Sequence, residues 1–220
     1  MVPGETYHLY NHANGKENLF IEEKNFRFFL SKLSEQILPV CKIYAYCLMP
    51  NHYHLLIQVR TAEQLQQLCQ SSETLPKFGQ KQVENKVSKA FSNFFSSYTQ
   101  AFNKVYKRKG SLFIPSMKMH KVNGDISFCK VVHYIHANPV HHGFVKKLAD
   151  WHHSSFKIFL SENPTKLERN YVLKVFGGRE AFIKYLQQPI DLKIKFLEKN
   201  LSQIQTLAKC KTLAKLKKVL

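Results

Sequence analysis

The chain has 220 residues, 44% of them hydrophobic, and its 33 Lys and Arg against 15 Asp and Glu give a formal charge of +18. That length supports one core of ordinary size plus an appendage, and no run approaches the ~20 apolar residues of a membrane span. The charge favours a polyanionic partner, although ribosomal and membrane-surface proteins share it. Five cysteines, an odd number with no CxxC pair, argue against a disulfide framework. With no signal-peptide pattern at the N-terminus, they set the expected location as the reducing cytoplasm.

In chain order, Tyr7 to His12 alternates as a first strand, and Asn14-Gly15 ends it with turn chemistry. Glu22 to Leu38 places Phe26, Phe29, Leu30, Leu33 and Ile37 at helical spacing, with Pro39 just beyond. Lys42 to Leu48 and His52 to Val59 pair as strands around Met49-Pro50-Asn51, because Pro fixes φ and Asn tolerates a left-handed turn. Cys41 and Cys47 fall on one face of the earlier strand, as packing residues. Thr61 opens a short helix to about Cys69, with its hydroxyl as cap and Gln64 in the reciprocal capping position. Gln82 to Lys107 reads as a long helix whose Phe91, Phe94, Phe95 and Phe102 form an apolar stripe. Met117 to Val122 returns as a strand. A helix from Ile126 to Ala137 follows; Asn138-Pro139 is expected to stop it, and Gly143 to allow the next turn. Asp191 to Leu220 carries eight lysines against two acids and spaces Leu197, Leu201, Ile204 and Ala208 helically. It reads as basic amphipathic helix, either packed on the main domain or serving as a DNA-binding or dimer-bracing arm.

This order suits an α+β ferredoxin-like sandwich with an antiparallel sheet, one face carrying the helices and the other open, plus additional C-terminal helices. The expected division is a domain over 1–160 and a helical, basic extension over 161–220.

Two features carry chemistry. His52-Tyr53-His54 puts imidazoles at i and i+2 of a strand, so both point one way while Tyr53 and Leu55 point the other. Two neutral imidazoles side by side are half of a divalent-metal site, or else a pair of half-exposed strand histidines without function. Between Glu84 and Asp125 there is no acidic residue, while Lys86, Lys89, Lys104, Lys107, Arg108, Lys109, Lys118 and Lys121 all fall there. These eight are the expected contacts to the phosphates of a polyanionic partner. The acid-free stretch also holds Tyr98, which the residues alone leave as a member of the aromatic stripe. Tyr106 fits a helix-end aromatic.

Leu48-Met49-Pro50-Asn51-His52-Tyr53-His54-Leu55-Leu56 resembles the histidine-hydrophobe-histidine signature of the single-tyrosine HUH transposases, in particular the REP-associated tyrosine transposase branch. Tyr98-Thr99-Gln100-Ala101-Phe102-Asn103, Arg108-Lys109-Gly110-Ser111-Leu112-Phe113 and Tyr134-Ile135-His136-Ala137-Asn138-Pro139-Val140-His141-His142-Gly143 follow in the family's order. Trp151-His152-His153-Ser154-Ser155-Phe156 is a weaker echo, and the resemblance spans roughly residues 5 to 160.

The resemblance implies a metal-dependent enzyme that nicks and rejoins single-stranded hairpin or palindromic DNA through a 5′-phosphotyrosine intermediate. It makes Tyr98 the nucleophile and assigns His52, His54 and Asn103 to a cation, Mg2+ or Mn2+, although two histidines alone would also accept Zn2+. On an ideal helix Asn103 projects about 140° from Tyr98, and Gln100, about 60° from Asn103, is the alternative ligand. The resemblance also implies a homodimer in which the tyrosine helix of one subunit lies over the histidines of the other. His133 and His136 read as structural. His120, His141, His142, His152 and His153 read as phosphate contacts. The chain departs from the family at Ile114-Pro115-Ser116-Met117, where relatives often place a Gln or Arg, which removes sequence-specific contacts expected of that loop. The competing readings are a DNA- or RNA-binding protein that keeps the fold without strand transfer, and a zinc hydrolase, for which no nearby Glu base is evident.

Overall fold

A computed structural model describes residues 1–69 and 79–188. Strand β1 (Thr6–His12), helix α1 (Glu23–Lys32), β2 (Cys41–Met49), β3 (His52–Val59), α2 (Ala62–Cys69), α3 (Gln80–Val105) and β4 (Lys118–Lys121) come first, followed by α4 (Gly124–His141), α5 (Phe156–Leu160), α6 (Arg169–Phe176) and α7 (Arg179–Leu186). The strands form one antiparallel sheet in the order β2-β3-β1-β4, which is the ferredoxin-like arrangement. Among the described residues no helix is long and apolar enough to cross a membrane. The basic segment Asp191 to Leu220 lies outside the described residues.

Local chemistry sets the elements close to their expected bounds. Helix α1 runs on as a π-helical stretch, Leu33–Ile37, in which the Leu38 amide reaches back five residues to the Leu33 carbonyl at 3.2 Å. At the start of α2, Thr61 and Gln64 satisfy each other's backbone amides, at 3.3 and 3.2 Å. The β2–β3 hairpin pairs Met49 with His52, so Pro50-Asn51 is a two-residue turn.

Register divides the sheet between two cores. Tyr53, Leu55 and Ile57 face α1 and α3, where α3 buries Val83, Val87, Phe91, Phe94, Tyr98 and Phe102 at spacings of three and four. Each such aromatic contributes on the order of 1.5–3 kcal/mol by leaving water. The opposite face was expected to be open and is not. Ala45, Cys47, Met49 and Leu56 pack there against Phe128, Val131, Tyr134 and Ile135 of α4. Val172, Phe182 and Leu186 from α6 and α7 join the same core. Helix α4 thus lies between the sheet and other helices, which is why every residue from Val131 to Pro139 is buried.

Two local readings are corrected. Pro139 does not stop α4: the helix continues to His141 with Pro139 inside it. It ends where Gly143, at φ 70°, lets the Gly143 amide reach the Val140 carbonyl at 3.0 Å and the Phe144 amide reach the Pro139 carbonyl at 2.9 Å. Cys41 and Cys47 are buried, but not on one face, because an irregularity between Ile43 and Ala45 shifts the register; Cys41 joins the first core and Cys47 the second. Segment Trp151 to Phe156 closes the edge of β2. The Trp151 indole donates to the Leu48 carbonyl at 3.1 Å, and the Leu48 amide donates to the His153 carbonyl at 2.9 Å.

Candidate functional site

The second face of the sheet holds a buried cluster of imidazoles. Antiparallel pairing sets His12 opposite His52 and Tyr10 opposite His54, and the His12 and His52 rings stack with centroids 4.7 Å apart. His52 and His54 rings meet edge-on at 5.1 Å, and His8 Nε2 lies 3.0 Å from His54 Nδ1. His52 and His54 are only 3% and 1% exposed, which rules out half-exposed strand histidines. Helix α4 is the lid: the Tyr134 ring stands 5.4 Å from that of His54, and Asn138 Oδ1 lies 3.5 Å from His52 Nε2.

Burial and mutual repulsion keep these rings neutral. Desolvation first, then the fields of His12 and His142, holds His52 well below the usual histidine range; desolvation, then His52 and His8, does the same for His54. Desolvation lowers His8 to about 3 and His12 to about 4. A neutral imidazole offers one donor and one lone pair. His52 Nδ1 is 2.8 Å from Asn51 Oδ1, an acceptor, which favours the proton on Nδ1 and leaves Nε2 to face Asn138 Oδ1 across 3.5 Å. His54 Nδ1 is engaged by His8, and its buried Nε2 has no hydrogen-bond partner. An imidazole with Nδ1 committed and Nε2 bare is arranged as a metal ligand is. The pair therefore fits a divalent cation by donor chemistry. Among the described residues, though, no three His, Cys, Asp or Glu side chains gather as a complete metal site.

The other expected site residues are elsewhere. Tyr98 is 1% exposed in the first core, on the opposite side of the sheet, and its hydroxyl donates to the Leu19 carbonyl at 2.6 Å. Desolvation raises its pKa far above the ordinary tyrosine value. The structure therefore does not bring Tyr98 to His52 and His54 within one chain. Nor does it bring Asn103, whose amide donates to the Gly110 carbonyl at 2.9 Å and accepts from Arg108 at 2.6 Å. Gln100 bonds Ser96 at 3.0 Å on the exposed side of α3. Tyr106 caps α3 and donates to Glu22 at 2.7 Å, as a helix-end aromatic.

The basic residues divide. Lys118 pairs with Tyr10 across β1 and β4 and so shares the histidine face, as does His120, opposite His8. Lys121 is one parity over, on the other face, and pairs with Glu5 at 2.8 Å. Lys86, Lys89 and Lys104 are exposed on α3 and Lys107 and Lys109 on the loop after it. Arg108 is occupied with Glu17, Asn103 and the Ser111 carbonyl and organises that loop. His136 is structural, bonding Ser155 Oγ at 2.7 Å.

Five members of the cluster were missed by sequence reasoning: His8, Tyr10, His12, Tyr134 and Asn138. The signal for the first three was present, since His8, Tyr10 and His12 alternate through the first strand at the same parity as the HxH pair. Tyr10 donates or accepts at His120 Nε2, 3.3 Å away. Asn138 carried no such signal, because its role depends on which sheet face α4 covers.

No family model and no curated protein matches the sequence. Among solved structures the chain is similar to a REP-associated tyrosine transposase bound to a REP hairpin, at 18% identity and a TM-score of 0.48, over 74% of this chain and 84% of that one.

Proposed function

We propose that the protein nicks and rejoins single-stranded DNA, at a hairpin or palindromic repeat, through a tyrosine-linked intermediate formed at the histidine face. The observation that carries this reading is the pair of buried imidazoles side by side on β3, with both Nδ1 atoms engaged, His54 Nε2 without a hydrogen-bond partner and His52 Nε2 facing only Asn138 Oδ1 at 3.5 Å. His52 and His54 would hold a divalent cation, Mg2+ or Mn2+, which supplies positive charge to a phosphodiester oxygen. Lys118 on the same face, with Lys86, Lys89, Lys104, Lys107 and Lys109, supplies charge for the backbone of the strand.

Tyr98 is the proposed nucleophile. Its hydroxyl oxygen forms the bond to phosphorus as the bond to the 3′ oxygen breaks; the phenol proton passes to water and the leaving oxygen takes one from water. Seated against Leu19, with its ionisation suppressed, Tyr98 cannot do this. The reading therefore requires α3 to leave its seat, in a homodimer where the helix of one copy meets the histidines of the other, and α4 to move off β3 to admit DNA. The domain over 1–160 carries this chemistry, and within the extension over 161–220 the basic segment Asp191 to Leu220 is assigned to DNA or dimer contact.

The seat of Tyr98 specifically favours a second reading, a nucleic-acid-binding protein with the same fold and no strand transfer. A labelled single-stranded hairpin incubated with Mn2+ separates the two. Cleavage and rejoining that a chelator abolishes supports the enzyme, and binding without cleavage supports the alternative.

A further inference from the structure

Helix α4 has the sheet on one side and a cavity on the other. Its Tyr134 and Asn138 face β3, while Ala137, Val140 and His141 line a cavity of about 780 Å³ that α5 and α7 close from the opposite side. The helix is buried all round from Val131 to Pro139, so whatever the sheet does not cover must be covered by the helices that follow. Phe156 and Leu160 of α5 and Ile183 and Leu186 of α7 do so only in part, and Leu160 is left 38% exposed at the rim.

That rim is basic. After α4 the chain runs through Lys146-Lys147 into a 3-10 turn, Leu148–Asp150, which sets two ammonium groups beside the apolar side chains of Leu148 and Ala149. Both lysines are exposed, and among the described residues neither makes a salt bridge or a side-chain hydrogen bond, whereas Lys24, Lys32 and Lys121 are paired with carboxylates. Among the described residues no Asp or Glu lines the cavity. Its buried imidazole, His133, is already engaged with the backbone of Leu186.

The size lies within the range of small-molecule sites, which are mostly apolar with a few placed polar groups. Apolar walls exclude a nucleic-acid backbone, because each phosphate would be buried without a partner. Two lysines with no carboxylate beside them exclude a cation. One complementary class is left, a molecule with a single anionic head and an apolar chain.

We propose that this cavity binds a free long-chain carboxylate, with its chain against Val140, Phe156 and Leu186 and its head at the ammonium groups of Lys146 and Lys147. The site lies behind α4 from the histidine face and does not depend on how that face is read.

The test is isothermal titration calorimetry of the full chain with decanoate below its micelle concentration, with circular dichroism as the control for folding. Wild type should bind one decanoate per chain. Each buried methylene is worth roughly fourfold in affinity, so octanoate should bind about tenfold more weakly. Lys146→Glu combined with Lys147→Glu should weaken decanoate at least tenfold and leave 1-decanol unchanged. Lys89→Glu combined with Lys104→Glu, the same change of charge on α3, should leave decanoate within twofold of wild type. Equal losses in the two double variants would reduce the effect to general attraction by a basic chain and overturn the proposal, as would equal affinity of wild type for decanoate and 1-decanol. No saturable binding would mean that something else fills the cavity in solution, such as the segment after Gln188, and would overturn it too. Retention on phosphatidylglycerol vesicles without binding of free decanoate would make the surface a membrane contact instead. Should the Lys146 and Lys147 double variant not fold, the ranking of decanoate over octanoate and 1-decanol on wild type decides.

Discussion

The Tyr98 hydroxyl donates to the Leu19 carbonyl at 2.6 Å, and this bond fixes the proposed nucleophile on the far side of the sheet from the imidazoles it would serve. Removing it tests the seat separately from the chemistry. Tyr98→Phe should lower the free energy of unfolding by about 1 kcal/mol, the cost of one buried hydrogen bond, measured by urea denaturation. A variant as stable as wild type would mean that the seat is already loose.

His52→Ala and His54→Ala should abolish cleavage and keep DNA affinity within tenfold of wild type at fixed salt. Affinity comes from many lysine–phosphate contacts, whereas the pair acts on one phosphate. A hundredfold loss of affinity in folded variants would assign both histidines to the binding surface.

Asn103→Ala removes the amide that ties Arg108 and Gly110 to the end of α3. It should lower thermal stability and leave Mn2+ affinity unchanged, as calorimetry of both would record. Loss of Mn2+ binding in a folded Asn103→Ala chain would return Asn103 to the metal site.

Metal-free protein should lose stability as the pH falls below about 6.5. His8 and His136 are both held to about 3 in the folded chain, chiefly by desolvation, so the unfolded chain binds protons in this window and the folded one does not. Stability contributed by a depressed pKa is therefore complete above the unfolded value and declines toward the folded one. The slope approaches about 1.4 kcal/mol per pH unit for each histidine kept neutral. Denaturant midpoints between pH 7.5 and 4.5 provide the check, and a flat profile would show that the rings protonate in place.

The sequence made the strand parity of His52 and His54, their hairpin and the aromatic stripe of α3 readable, because periods of two and of three to four residues are local properties. It did not reveal which sheet face each helix would take. Ile126 to Ala137 reads as a helix in either place, and only its packing shows that Asn138, one residue beyond, meets His52. Tyr98 illustrates the same limit, since a stripe aromatic and a nucleophile have the same spacing. The slip at Ile43 and Ala45 that parts Cys41 from Cys47 leaves no pattern in the residues either.

The central claim is a covalent tyrosine link made at the histidine face, and peptide mapping of the DNA adduct tests it most directly. Labelled single-stranded hairpin DNA with Mn2+ should give an SDS-resistant adduct on Tyr98, absent in Tyr98→Phe and in His52→Ala. It should persist in Tyr106→Phe and Tyr10→Phe, and reappear when the Tyr98→Phe and His52→Ala chains are mixed. An adduct on Tyr10, which already stands beside His54, would move the nucleophile to the face where the imidazoles lie. No adduct on any tyrosine, from a chain that binds both Mn2+ and the hairpin, would contradict the account.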